Sequence, residues 1–252
     1  MRTEPAGDFD YDSSAIDYAA VRQPEPAFAS AIRRCLGDCE TLLNVGAGTG
    51  SYEPLDLEVT AVEPSAAQRS QRPGHLTPAI DAIAEDLPFS DDSFDAAMAT
   101  VTVHQWRDLE KGLAEMRRVA RGPVIVMSFD PVRLREFWMA DFAPEFARAG
   151  SDRMPSIDLL VRCLGGAEVE ELPIPANCVD GFDEAFFGRP EAFLDERVRR
   201  AQSSWGFVGP DVERRSVDRL SLALADGSWD HQYGRLRDAD EYRGSLRLVV
   251  AR

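Results

Sequence analysis

The stretch Leu42-Leu43-Asn44-Val45-Gly46-Ala47-Gly48-Thr49-Gly50 runs from a short apolar segment into three glycines at alternate positions. The apolar part reads as a buried parallel strand and the glycines as a tight strand-to-helix turn. Glycine accepts positive φ and leaves no Cβ in the way of an approaching ligand. A β-branched segment follows, Glu58-Val59-Thr60-Ala61-Val62, and it ends on an acid, Glu63. A carboxylate at the tip of the neighbouring strand is placed to accept two hydrogen bonds from a ribose diol. Together these features give the layout of a nucleoside-type cofactor site at the carboxyl edge of a doubly wound α/β sheet.

Two cofactor classes compete for that layout. The dinucleotide fingerprint G-x-G-x-x-G places its third glycine where this chain has Ser51, and Gly50 comes one residue early. A nicotinamide-dependent oxidoreductase is therefore disfavoured. Further along stands Ala84-Glu85-Asp86-Leu87-Pro88-Phe89-Ser90-Asp91-Asp92-Ser93-Phe94-Asp95, then an apolar run over 96–100 that reads as a fourth strand. After the loop Val101-Thr102-Val103-His104-Gln105-Trp106, Asp108 is placed to cap a helix with Leu109, Leu113, Met116 and Ala120 on one face. Gly122-Pro123 ends it, and Val124-Ile125-Val126-Met127 reads as a fifth strand.

Over about residues 38–130 these motifs resemble the class I S-adenosylmethionine-dependent methyltransferases of the ubiquinone/menaquinone type (methyltransferase type 11). The resemblance implies a Rossmann-like, seven-stranded doubly wound sheet with S-adenosyl-L-methionine as cofactor. It implies cofactor contacts from Gly46, Ala47, Gly48, Gly50, Glu63, Pro64 and Thr100, with Ala84 framing the adenine. In such relatives a histidine-containing loop faces the sulfonium, which makes His104 the candidate general base; its alternative role is to order the loop or contact the cofactor. An N-terminal "Y-D…Y…R" segment folds over the cofactor in that family. By that resemblance Tyr11 and Tyr18 cover the methionine half and Arg22 pairs with its carboxylate; the other reading is a surface arm with aromatic anchors. Two departures stand out. Ile83 replaces an Asp that could accept from the adenine amino group, and Asn44 replaces an Asp in the glycine motif, where an amide supplies hydrogen bonds but no charge.

The expected organisation is an N-terminal cofactor-covering segment over 1–37 and a methyltransferase domain over 38–252, with a helical insertion at about 174–242 between the last two strands. A helix is expected over 134–149, and another over 156–164 ended by Gly165-Gly166. A sixth strand is expected over 167–172 and a seventh over 244–250. Within the insertion, Pro190 opens a helix carrying Phe193, Leu194, Val198 and Ala201. Residues 212–225 make a second, stopped by Asp226-Gly227. The insertion covers the substrate pocket or forms a dimer surface. Trp106, Phe129 and Trp138 line an apolar pocket or belong to the core.

A chain of 252 residues can bury one sizeable α/β core plus a modest extra element. Its formal net charge of −16 disfavours attraction to nucleic acid or an anionic membrane. No segment is long and apolar enough to span a bilayer, and the first residues are not a signal peptide, which points to the cytoplasm. Cys35 and Cys39 are spaced to share one face of a helix. With no further ligands near them in sequence, they read with Cys163 and Cys178 as free thiols. The expected activity is methyl transfer to a small-molecule acceptor by a monomer or homodimer. The alternatives are a non-methylating reaction with the same fold and cofactor, such as a cyclisation, and the oxidoreductase set aside above.

Overall fold

The computed structural model describes residues 21–252. Five residues, all but Thr41 buried, form β1 (Thr41–Val45), the second strand from one edge of a six-stranded sheet. β1 pairs in parallel with β2 (Glu58–Val62) on one side and β3 (Ala96–Thr100) on the other, and β3 pairs in parallel with β4 (Val124–Phe129). The last strand, β8 (Leu246–Ala251), runs antiparallel to β4 and to the edge strand β5 (Glu168–Glu171). The order is β2-β1-β3-β4-β8-β5. The chain leaves β1 toward β2 and returns on the opposite side as β3, so the sheet reverses its order beside β1. In doubly wound sheets that reversal opens a crevice outside the carboxyl ends of the strands.

Both faces of the sheet are covered, which explains why the strands read as continuous apolar runs. On one face Leu42, Met98, Ile125, Met127 and Leu248 pack with α1 (Pro26–Leu36) and an aromatic-rich helical layer. On the other, Leu43, Val45, Ala97, Val126 and Val249 pack with α3 (Leu109–Val119) and α7 (Ile157–Cys163). Asp108 caps α3 by accepting from Lys111 N at 3.0 Å, and Ser156 caps α7 through Leu159 N at 3.2 Å. Asp95 fastens the entry edge of the sheet: it accepts from Glu40 N, Thr41 N, Thr41 Oγ1 and Arg121. These partners hold its carboxyl far below the usual range, the arginine most strongly.

Four expectations are corrected. Among the described residues the central sheet has six strands where seven were expected, because the strand expected before β3 is present only as one bridge between Ile80 and Val62. Pro78 lacks the N–H a ladder needs, and Arg72 claims the Thr77 carbonyl at 2.9 Å. The helix expected over 134–149 is broken into α4 (Pro131–Leu134), α5 (Met139–Phe142) and α6 (Pro144–Arg153). Pro144 drives its predecessor Ala143 out of the α region, to φ −136° and ψ 65°. The helix opened by Pro190 ends as a 3₁₀ turn at Leu194, where Asp195 caps a separate α8 (Glu196–Arg200). Cys39 lies beyond the end of α1, so it does not share a helix with Cys35.

Between β5 and β8 the chain forms a two-stranded ladder of β6 (Ile174–Pro175) and β7 (Glu241–Tyr242). The short helical turns, α9 (Pro210–Ala225) and α10 (Ser228–Tyr233) come between those strands. Phe129 and Trp138 are core residues here: Trp138 packs edge-on against Trp229 and Phe193 and donates its Nε1–H to Phe187 O at 2.9 Å. Trp106 packs over Gly112, where a Cβ would lie 2.5 Å from its ring. Among the described residues no helix is long and apolar enough to cross a membrane.

Candidate cofactor cleft

The cleft opens where the reversal beside β1 predicts it. Gly46 N and Ala47 N both donate to Val62 O at 3.0 Å, which turns the chain over the end of β2. Gly46 and Gly48 hold φ of +68° and +53°, a region that costs other residues about 1–2 kcal/mol. At Gly46 the close approach matters as much, since a Cβ there would lie 2.4 Å from Thr102 Oγ1 on the loop after β3. At Gly48 the conformation alone calls for glycine, since a Cβ there would meet only Gln68 Oε1 at an ordinary 3.6 Å.

Glu63 stands at the tip of β2. Its Oε2 accepts from Gly48 N and its Oε1 from Ser65 N, both at 2.8 Å, so the acid is fixed against the glycine turn. It is 7% exposed, and burial raises its carboxyl above the usual range against the pull of those two N–H donors. Across the cleft, the wall after β3 begins at Thr100 and continues through Val101, Thr102 and Gln105. Val101 has φ +51°, a rare conformation for a β-branched residue, and its N–H is held by Met127 O at 2.8 Å. Arg22, Gln23, Tyr52 and Asp180 complete the lining.

Beneath the glycine turn lies a buried ion pair. Arg72 Nη2 reaches both Glu53 oxygens at 3.0 and 2.9 Å, and the two side chains are only 3% and 2% exposed. Arg72 also reaches Gly48 O at 3.4 Å. Asn44, fully buried, donates to Glu53 Oε1 at 2.9 Å. The amide in the glycine motif thus serves an acid nine residues on.

Comparisons with known proteins fit this geometry. A family model described as a methyltransferase domain matches residues 43–126. A solved structure from Anabaena variabilis, of a protein ascribed to methyl transfer in an antibiotic biosynthesis pathway, is 27% identical. The match covers 93% of this chain and 100% of that one, at TM-score 0.85. The chain is an S-adenosylmethionine-dependent methyltransferase that carries a methyltransferase domain over residues 43–126. A methyltransferase from Thermotoga maritima matches at 16% identity, covering 95% of this chain and 93% of that one, at TM-score 0.51. Geranyl diphosphate C-methyltransferase from Streptomyces coelicolor, solved with S-adenosyl-L-homocysteine, matches at 15%, covering 89% and 74%, at TM-score 0.50. These two likenesses are of fold. No curated protein matches the chain.

The cofactor of this methyltransferase is S-adenosyl-L-methionine. The cleft fits it: a glycine turn leaves room for a close backbone approach, and a buried carboxylate, Glu63, belongs to the lining. Of the residues expected at the cofactor, Gly46, Ala47, Gly48, Glu63, Thr100 and Arg22 line the cleft. Gly50, Pro64 and Ala84 lie outside its lining. Gly50, at φ +98°, closes the turn against Leu76 and Arg72. Ala84 is buried in the second core beside Gly112. Tyr11 and Tyr18 lie outside the described residues. His104 sits between the lining residues Thr102 and Gln105 but is not itself in the lining. Its Nδ1 is buried without a partner, and desolvation pushes the imidazole down to about 4.

Sequence reasoning missed Asp180, Tyr52, Gln68 and Ser65 in the lining, and the Glu53–Arg72 pair beneath it. Acids and carbonyls of the 84–95 segment serve structure. Glu85 accepts from Arg107 N and Asp108 N at 2.7 and 3.0 Å. Arg118 gathers Leu87 O, Phe89 O and Asp91.

Proposed function

We propose that this methyltransferase acts on a small-molecule acceptor, and the observation that carries the reading is the cleft itself. It lies between the glycine turn and the loop after β3, with Glu63, Arg22 and Asp180 in its lining, and is suited to a small charged cofactor. S-adenosylmethionine, when bound, supplies a methyl group on a positively charged sulfur, activated for in-line displacement. The chain supplies alignment and exclusion of water. Glu63 accepts from the ribose hydroxyls, and the Gly46–Gly48 backbone fits against the cofactor. Arg22 binds the carboxylate of the methionine half, and Thr100 to Thr102 wall the sulfonium.

His104 is the proposed base. It is neutral at physiological pH, its Nδ1 is unclaimed, and it belongs to the loop that bounds the reacting end. The segment over 1–37 is proposed to cover the cofactor, and the helical segment over 174–242 to wall the acceptor side. The net charge of −16 and four free cysteines support a cytoplasmic enzyme without nucleic-acid or membrane partners, working as a monomer or homodimer.

The test has two parts. S-adenosyl-L-homocysteine should raise the melting temperature, with about 2.7 kcal/mol of stabilisation at a hundredfold excess over its dissociation constant. A screen of small phenols, enols, alcohols and amines with methyl-labelled cofactor should give labelled product together with S-adenosylhomocysteine. Label transferred only to protein or nucleic acid would overturn the small-molecule reading.

A further inference from the structure

We propose that Asp180, carried by the segment between β6 and β7, is the residue that binds the α-ammonium group of the cofactor, as the partner of Arg22 on the carboxylate. The proposal rests on the cleft taking S-adenosylmethionine and assigns a residue that the glycine motif does not contain.

The argument starts from the shape of the ligand. Its ribose lies at the middle, and its amino-acid tail ends in one positive and one negative charge. With the ribose at Glu63, that tail extends along the rest of the cleft. Besides Glu63 the lining carries one cation and one anion, Arg22 and Asp180, joined by an Nε–Oδ1 contact of 2.5 Å. Arg22 alone would satisfy the carboxylate and leave an ammonium group desolvated without a counter-charge, which is costly. Asp180 supplies that counter-charge, so a neutral ion pair meets a neutral zwitterion with each charge matched.

The pair is built rather than incidental. Asp180 is 5% exposed, and its second oxygen accepts from Tyr52 Oη at 2.7 Å. Burial and the neighbouring Asp180 hold the Tyr52 phenol protonated, so Tyr52 acts as a donor. A carboxylate has about four lone-pair sites, so the contacts from Arg22 and Tyr52 leave capacity for an ammonium donor. The backbone fixes the register: Arg22 and Asp180 form an antiparallel bridge, and Gly181 N donates to Val21 O at 3.0 Å. Glycine is required at 181, since a Cβ would lie 2.7 Å from Val21 O. Glu25 adds a second tie, accepting from Val179 N at 3.0 Å. The helical segment is therefore one wall of the cofactor cleft.

Calorimetry with three probes tests the assignment: S-adenosylhomocysteine, its decarboxylated form that keeps the ammonium, and 5′-methylthioadenosine, which lacks the whole amino-acid tail. Asp180→Asn should weaken the first two by roughly 10- to 100-fold, the range for a charge-assisted hydrogen bond, and leave methylthioadenosine nearly unchanged. Arg22→Gln should weaken S-adenosylhomocysteine but not the decarboxylated probe. Equal weakening of all three by Asp180→Asn would overturn the proposal and leave Asp180 a structural tie. Should that variant not fold, the wild-type protein still decides. A deaminated S-adenosylhomocysteine should bind at least about tenfold more weakly than the parent, and equal affinity would overturn the proposal. If wild-type protein bound neither S-adenosylhomocysteine nor methylthioadenosine, the cofactor reading of the cleft would fail instead.

Discussion

At the scale of single residues, His104 poses the sharpest question because its two properties pull in different directions. Desolvation keeps the imidazole neutral and ready to accept a proton, yet a value of about 4 makes it a weak base. The folded state binds fewer protons at this site than the unfolded state, whose histidine titrates near 6.5. Stability is therefore full above about pH 6.5 and is lost as the pH falls toward 4. At about 1.4 kcal/mol per unit, His104 accounts for at most about 3 kcal/mol of that loss. We predict that His104→Gln flattens stability between pH 6.5 and 4 relative to wild type, as read by urea midpoints across that range. If His104 is the base, turnover by the variant falls about 10²–10⁴-fold while affinity for S-adenosylhomocysteine holds. The acid limb of the wild-type rate profile should then break near 4 rather than near 6.5. A break at 6.5 would show that the cleft hydrates the imidazole; an unchanged rate would clear His104.

At the scale of elements, the glycine turn rests on a charged foundation that local sequence does not announce. Arg72 and Glu53 are separated along the chain, and each by itself reads as an ordinary surface residue. Only when α2 (Ala66–Ser70) and the loop after it fold back do they meet, beneath the turn. The turn, by contrast, was legible from the start, because alternate glycines after an apolar run admit few other structures. The missing third strand was not, since its Thr77 carbonyl is taken by that same Arg72 and its Pro78 has no N–H to give. Breaking a buried pair from one side leaves a bare charge, at a typical cost of about 3–5 kcal/mol. We predict that Arg72→Met destabilises by that amount and weakens the cofactor. Adding Glu53→Gln should restore part of the stability by removing the stranded carboxylate, while Asn44 keeps a partner. Thermal denaturation of the single and double variants measures this. A double variant less stable than Arg72→Met would show that the pair does not act as a unit.

At the scale of the whole molecule, the issue is whether the chain between β5 and β8 is an appendage or part of one core. Sequence placed it between the right strands but could not show what it packs against, because aromatic spacing does not name a partner. The structure gives one continuous apolar cluster running from Leu42 and Met98 in the sheet through Phe137 and Trp138 to Phe187, Phe193 and Trp229. Trp229 is fully buried against Trp138 and Tyr233, its ring covered by Arg237 at 4.8 Å. Replacing a buried aromatic of this size by alanine costs about 3–5 kcal/mol. In a chain of this length each kcal/mol lowers the melting temperature by about 2–4 °C. We predict that Trp229→Ala melts about 10 °C lower, still in one transition. Far-ultraviolet dichroism, tryptophan fluorescence and S-adenosylhomocysteine binding should be lost together, because the segment and the cofactor cleft share Asp180 and a core. Two separated transitions, with cofactor binding surviving the first, would make the segment an independent unit and would remove it from the cleft wall.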